Sequence, residues 1–257
     1  MSAYKIEAGT GQHIGGRPRQ NDRVALYAGA RAPGYMMAVL ADGVQGGAVA
    51  AEQVLHTSKQ LFDEFSPGDG AGLERLGALL RQIAHEAHTI IKMGPVPGAQ
   101  QAQEAHSTLA ILILAPRGLA VWAHVGESRL YRFADGRCAW RSDDSAYVAH
   151  LTGHDGLAPE AARRHRSLAP LRNVLGNSVK LPFVSIGSHQ GLRAGDAFML
   201  CSDGLWQYFS DAELAAVVAR ESPRRAAARL IDKALERAQG QGDNCSMAIV
   251  KLVAPTA

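Results

Sequence analysis

The stretch Tyr35-Met36-Met37-Ala38-Val39-Leu40-Ala41-Asp42-Gly43-Val44-Gln45-Gly46-Gly47 decides how this chain is built. Its first seven residues form an unbroken apolar run, the pattern of a buried strand. Asp42-Gly43 then sets a short acidic side chain where the backbone can turn sharply and expose its carbonyl. From Gly46 to Phe65, Ala50, Val54, Leu61 and Phe65 recur at helical spacing, so the segment predicts strand, acidic turn, helix. Two more acids have the same setting. Asp203-Gly204 follows the apolar run Ala197 to Cys201, and Asp243-Asn244 opens the run Cys245 to Val253. Acids placed in this way are held rigidly at a sheet edge.

Working outward, Leu73, Leu76, Leu79, Leu80, Ile83, Ala87 and Ile90 predict a second amphipathic helix beside the first. Met93 to Ala105 carries Gly94, Pro95, Pro97 and Gly98 and predicts a mobile loop. Leu109 to Ala115, Leu119 to Val125 and Arg129 to Phe133 predict three short strands in an antiparallel meander. Residues Ser142 to Pro170 are polar and predict an exposed flap over a site. Strands resume at Phe183 to His189 and Ala197 to Cys201. Ser210, three residues ahead of Glu213, has capping-box spacing and opens a helix to about Ala219. Ser222-Pro223 starts another, which runs towards Gly240. Paired helices alternating with blocks of strands predict an α+β fold, a central antiparallel β-sandwich flanked by pairs of helices, as a single domain over residues 1–257.

The chain has 257 residues, 47% hydrophobic and 20% charged, enough for one full core. The net charge of +3 comes from scattered arginines, not from a basic stripe with interleaved aromatics, so no nucleic-acid partner is expected. The densest group, Arg163, Arg164 and Arg166, reads as a solvated helix face. Cys138, Cys201 and Cys245 lack CxxC spacing and fit a reducing compartment. The first residues show no charged start followed by an apolar region, and Leu109 to Ala115 is too short to span a bilayer, so a cytoplasmic, membrane-free monomer is expected. Asn244-Cys245-Ser246 matches a glycosylation acceptor by chance in that setting.

Clustered short acids and an exposed carbonyl are the ligand set of hard divalent cations such as Mg²⁺ or Mn²⁺. Neither His85/His88 nor His150/His154 belongs to an HExxH pattern, which disfavours zinc. His106 and His124 are ordinary core or surface histidines. The chain has no Cys followed six residues on by Arg, no Asp-x-Asp and no Walker A segment, which removes cysteinyl, aspartyl and common nucleotide-hydrolase mechanisms.

Several short segments, in order along the chain, resemble the PP2C (PPM) family of metal-dependent serine/threonine phosphatases of bacterial type. Arg17-Pro18-Arg19-Gln20-Asn21-Asp22 is similar to the family's first motif, and Val39 to Gly47 to its "ADGxGG" segment. Ser107-Thr108 and Ala123-His124-Val125-Gly126-Glu127-Ser128-Arg129 resemble "GTT/STA" and "VGDSR". Leu200-Cys201-Ser202-Asp203-Gly204-Leu205 and Gly242-Asp243-Asn244 resemble "CSDGL" and the terminal "DN". The resemblance implies hydrolysis of phosphoserine and phosphothreonine with two Mn²⁺ or Mg²⁺ ions. Asp42 would bridge the ions, the Gly43 carbonyl would complete the second, and Asp203 and Asp243 would bind the first. Asp22 would reach the metal through water and act on that water, and Arg17 would hold the phosphate. Glu127 stands where the family usually has Asp, at the position of a weaker third ion. Asn21, Gln45 and Asp144 also depart from the family pattern, and Val44 stands where some members carry a catalytic His. Phosphoprotein substrates and a cognate Ser/Thr kinase are the implied partners. The alternative reading is a non-catalytic pseudophosphatase that binds phosphoproteins through the same surface.

Overall fold

The computed structural model describes residues 4–44, 47–68, 72–94, 105–143 and 173–255. In chain order the elements are β1 (Lys5–His13), β2 (Arg23–Ala28), β3 (Met36–Ala41), β4 (Gly43–Val44), α1 (Ala48–Glu64) and α2 (Leu73–Met93). There follow β5 (His106–Ser107), β6 (Leu109–Ala115), β7 (Leu119–Val125), β8 (Arg129–Ala134), β9 (Arg137–Arg141), β10 (Ser185–Gln190) and β11 (Ala197–Cys201). The chain continues through α3 (Asp203–Trp206), α4 (Asp211–Arg220), α5 (Pro223–Arg237) and β12 (Cys245–Val253). Two antiparallel five-stranded sheets run in the orders β1-β12-β11-β8-β9 and β10-β7-β6-β3-β2, and β4 pairs with β5 in a two-residue ladder.

The unbroken apolar runs are explained by burial on both faces. Along β6, Leu109, Ile111 and Ile113 pack with α1 and α2, whereas Ala110, Leu112 and Leu114 face the opposite sheet. Along β12, Met247 and Ile249 pack towards α4 and α5, and Ala248 and Val250 fill the space between the sheets. Because the side-chain period of a strand is two, a strand covered on both faces shows no polar alternation, although the ladder is antiparallel. The result is a sandwich whose two outer faces each carry a helix pair. Apolar burial contributes roughly 25 cal/mol per Å² removed from water, so all three packing layers stabilise the assembly.

The predicted meander is corrected here. β6 and β7 do form an antiparallel hairpin, but β8 leaves for the other sheet and pairs with β11 and β9. The crossing is made at Gly126, where φ is +86° and a Cβ would stand 2.9 Å from Thr108 Cγ2. Only glycine takes that backbone without strain. Once across, Tyr131 and Phe133 stack and join the core under α4 and α5. The Gly126-Glu127-Ser128 turn therefore spans the edge between the two sheets.

The capping box at Ser210 is present: the Glu213 N–H donates to Ser210 Oγ at 3.3 Å and the Ser210 N–H donates to Glu213 Oε2 at 2.9 Å. Most of the expected flap, the 95–104 part of the expected loop, and Arg163, Arg164, Arg166, Gln45 and Asp144 lie outside the described residues. No helix among the described residues is long and apolar enough to cross a membrane. Ser210→Ala should remove the cap and lower stability by about 1 kcal/mol. Urea unfolding should show a lower midpoint at unchanged slope, and an unchanged midpoint would contradict the cap's role.

Candidate active site

Asp42 follows β3 directly, and hydrogen bonds fix its backbone from two sides. Its N–H donates to Thr108 Oγ1 at 3.0 Å, and its carbonyl accepts from the Thr108 N–H at 2.9 Å and the Ser107 hydroxyl at 3.2 Å. Thr108 Oγ1 also meets Ser128 Oγ at 2.6 Å, which ties Asp42 to the turn that carries Glu127. At Gly43 the chain folds back so tightly that a Cβ would lie 2.2 Å from the Gly47 carbonyl oxygen. No side chain fits there.

Asp203 opens α3 at the end of β11, and Asp243 precedes β12, so these two acids come from neighbouring strands of one sheet. Asp42 and Glu127 come from the other sheet and from the crossing between the two. Arg17 meets Asp243 with two guanidinium nitrogens on the two carboxylate oxygens, Nε lying 2.8 Å from Oδ1. The loop that presents Arg17 is stapled by the buried amide of Asn244. Its Nδ2 donates to the carbonyls of Ile14 (2.7 Å) and Arg19 (3.0 Å), and its Oδ1 accepts from the Asn21 N–H at 2.7 Å. Trp206 Nε1 donates to the Glu127 carbonyl at 3.1 Å, with the Arg129 guanidinium 4.9 Å above its ring, so the Glu127 turn is also held in place.

Arg17, Asp42, Gly43, Glu127, Asp203 and Asp243 all line one cavity of about 670 Å³. Asp22 does not line it. It is fully buried behind Asp42, with Oδ2 accepting from the Ser202 hydroxyl at 2.8 Å, while its Oδ1 has no hydrogen-bond donor. Burial pushes the Asp42 carboxyl up to about 9, reinforced by Asp22, Asp203 and Glu127. Burial likewise raises Asp22 to about 7, although its hydrogen bond from Ser202 works the other way. Asp203 is raised by burial and by Asp243. Acids crowded in this way require protons or cations between them.

The donor set suits divalent cations: hard carboxylate and carbonyl oxygens, an orphaned buried Oδ1, and mutual repulsion that positive charge would relieve. Among the described residues no three acidic, His or Cys side chains are already drawn into an ion-ligand cluster. Asp243 is held instead by the Arg17 guanidinium. Neither His106 nor His124 lines the cavity. Sequence reasoning quoted Ser107-Thr108, Ser202 and Asn244 within motifs but assigned them no role, and their work as staples depends on contacts between distant segments. Trp206 and Arg19 carried no signal of their own.

No protein-family model matches the chain. The serine/threonine protein phosphatase PstP of Mycobacterium tuberculosis is 30% identical over 243 residues, covering 93% of this chain and 43% of that protein. A putative PP2C-type protein phosphatase of Streptococcus pyogenes is 25% identical over 242 residues, covering 91% of this chain and 93% of that protein. The chain is similar to PP2C-type protein phosphatases in sequence and in fold. The solved catalytic domain of PstP in complex with two manganese ions superposes with a TM-score of 0.64 at 26% identity, over 96% of this chain and 98% of that one. The antiparallel sandwich of this chain accords with that neighbour. Its length is less than half that of the full PstP protein it matches.

The raised carboxyls give a stability test with a definite sign. A folded carboxyl that titrates above its unfolded value near 3.8 holds a proton the unfolded chain has released, so stability in chelator falls as pH rises from there through about 9. Mn²⁺ should therefore raise the melting temperature more at about pH 8 than at about pH 5.5. Thermal unfolding with chelator and with Mn²⁺ measures the difference, and equal shifts at both values would contradict the electrostatic reading.

Proposed function

We propose that this chain hydrolyses phosphoserine and phosphothreonine in proteins with two Mn²⁺ or Mg²⁺ ions. The observation that carries the reading is the convergence of Asp42, Asp203, Asp243 and Glu127, from both sheets, on one cavity beside Arg17. Divalent ions held there would supply Lewis-acid charge that makes water more acidic and offsets the charge of the phosphoryl oxygens. Asp42, the Gly43 carbonyl, Asp203 and Asp243 would hold the ions. Glu127 is the candidate for a weaker third ion. The presence of all the inner acids supports turnover over the non-catalytic alternative.

The chain's own residues supply the rest. Arg17 presents a planar fork that matches two phosphate oxygens, and it is more than half exposed, free to turn from Asp243 to the substrate. Asp22, sealed behind Asp42, would act on the attacking water through Asp42. Its Oδ2 is oriented by Ser202, so it is a positioning residue. Val44 offers no proton, so the serine or threonine oxygen takes its proton from solvent. The PstP neighbour with two manganese ions supports the ion count. Phosphoproteins as substrates, a cognate Ser/Thr kinase as the opposing enzyme, a cytoplasmic location and a monomeric state complete the reading.

Purified protein should release phosphate from a phosphothreonine peptide with Mn²⁺ and lose that activity in excess chelator. Asp42→Asn and Asp203→Asn should each lower kcat about a hundredfold or more with an unchanged far-UV spectrum. Arg17→Lys should lower kcat/KM about tenfold, because the bidentate fork is lost. Phosphate release that persists in chelator would overturn the proposal.

A further inference from the structure

Arg19 stands at the rim of the same cavity as Arg17. Its carbonyl is held by Asn244 Nδ2 at 3.0 Å, yet its exposed side chain makes no ion pair or hydrogen bond among the described residues. Arg17, by contrast, is occupied by Asp243. Pro18 between them fixes its own φ and bars Arg17 from helical backbone. With the Asn244 staple, the two guanidinium stems therefore leave the loop from a stiff base. The neighbouring wall of the mouth is apolar: Val44, Ala48 and the half-exposed Val49 at the start of α1. The first turn of α1 carries no acid.

We infer that Arg19 is a specificity-determining residue that reads a second negative charge, beside the scissile phosphate, on the phosphoprotein substrate. The inference rests on the phosphatase reading of the cavity and adds a substrate class to it: segments in which a carboxylate or a second phosphate neighbours the phosphoresidue. Ions held by the inner acids cancel much of their charge, which leaves Arg17 and Arg19 to set the potential at the mouth. Arg17 is committed to the phosphate being removed, so only Arg19 has donors to spare. Arginine suits both kinds of anion because its fork matches carboxylate and phosphate alike.

The test compares kcat/KM, with Mn²⁺, on three phosphothreonine peptides that differ only in the neighbouring residue: neutral, acidic or phosphorylated. p-Nitrophenyl phosphate serves as a substrate without neighbours. The wild-type chain should prefer the charged peptides about fivefold at low ionic strength, and the preference should shrink with added salt. A larger gain with the phosphorylated neighbour than with the acidic one assigns the second anion to phosphate, and equal gains assign it to charge alone. Arg19→Glu should invert the preference, and Arg19→Ala should abolish it. Hydrolysis of p-nitrophenyl phosphate with equal kcat/KM on all three peptides overturns this inference alone, as does a preference that survives in Arg19→Ala. Failure to hydrolyse p-nitrophenyl phosphate with Mn²⁺ overturns the phosphatase reading beneath it.

Discussion

Repulsion among buried carboxylates is the constraint around which this molecule is arranged. Like charges about 5 Å apart at an effective dielectric near 20 repel by about 3 kcal/mol, and a typical domain has only about 5–15 kcal/mol of net stability. Asp22, Asp203 and Glu127 all raise the Asp42 carboxyl, and Asp203 also raises Asp22, so several such pairs must be carried at once. A fold bears that load only if the backbone beneath each acid cannot relax. The two stacked sheets meet this need, because Asp42, Glu127, Asp203 and Asp243 each stand at the end of, or in the turn beside, a strand buried on both faces.

The staples around the cavity follow from the same constraint. Thr108 and Ser107 fix both backbone groups of Asp42, Ser202 orients Asp22, and Asn244 anchors the Arg17 loop to the start of β12. Each staple joins segments far apart in the chain, and each satisfies buried polar groups that would otherwise be costly. Among the described residues that line or back the cavity, Asp22 Oδ1 is left without a donor, at the place where the fold directs two acids at one another. An orphaned acceptor inside an otherwise satisfied network is the expected mark of a site built for a positive charge. Function and local instability therefore share an origin: the sandwich supplies rigidity, and the cavity draws on it.

Much of this was legible in the chain itself. β6, β7, β11 and β12 match their apolar runs residue for residue because burial on both faces leaves a continuous signal. The edge strands β1 and β2 were not anticipated, since Lys5–His13 is interrupted by Gly9 and Gly11 and both strands are largely half-exposed. The meander failed for a different reason. Strand propensity says where β8 lies but not which sheet receives it, and that choice is made by a positive φ at Gly126 and by Tyr131 and Phe133 packing under α4 and α5. At the site, acid types and their strand-end settings were visible in the sequence. The sealing of Asp22 behind Asp42 was not, because sequence spacing does not report which of two adjacent carboxyls faces the solvent.

The central claim is that acids remote in sequence, brought together by two sheets, hold a pair of divalent ions. Anomalous diffraction at the manganese edge from crystals grown with Mn²⁺ tests it most directly. The account predicts two peaks in the cavity, both within bonding reach of Asp42, one shared with Asp203 and Asp243 and the other beside the Gly43 carbonyl. Peaks elsewhere, or none in the cavity at saturating Mn²⁺, would contradict it.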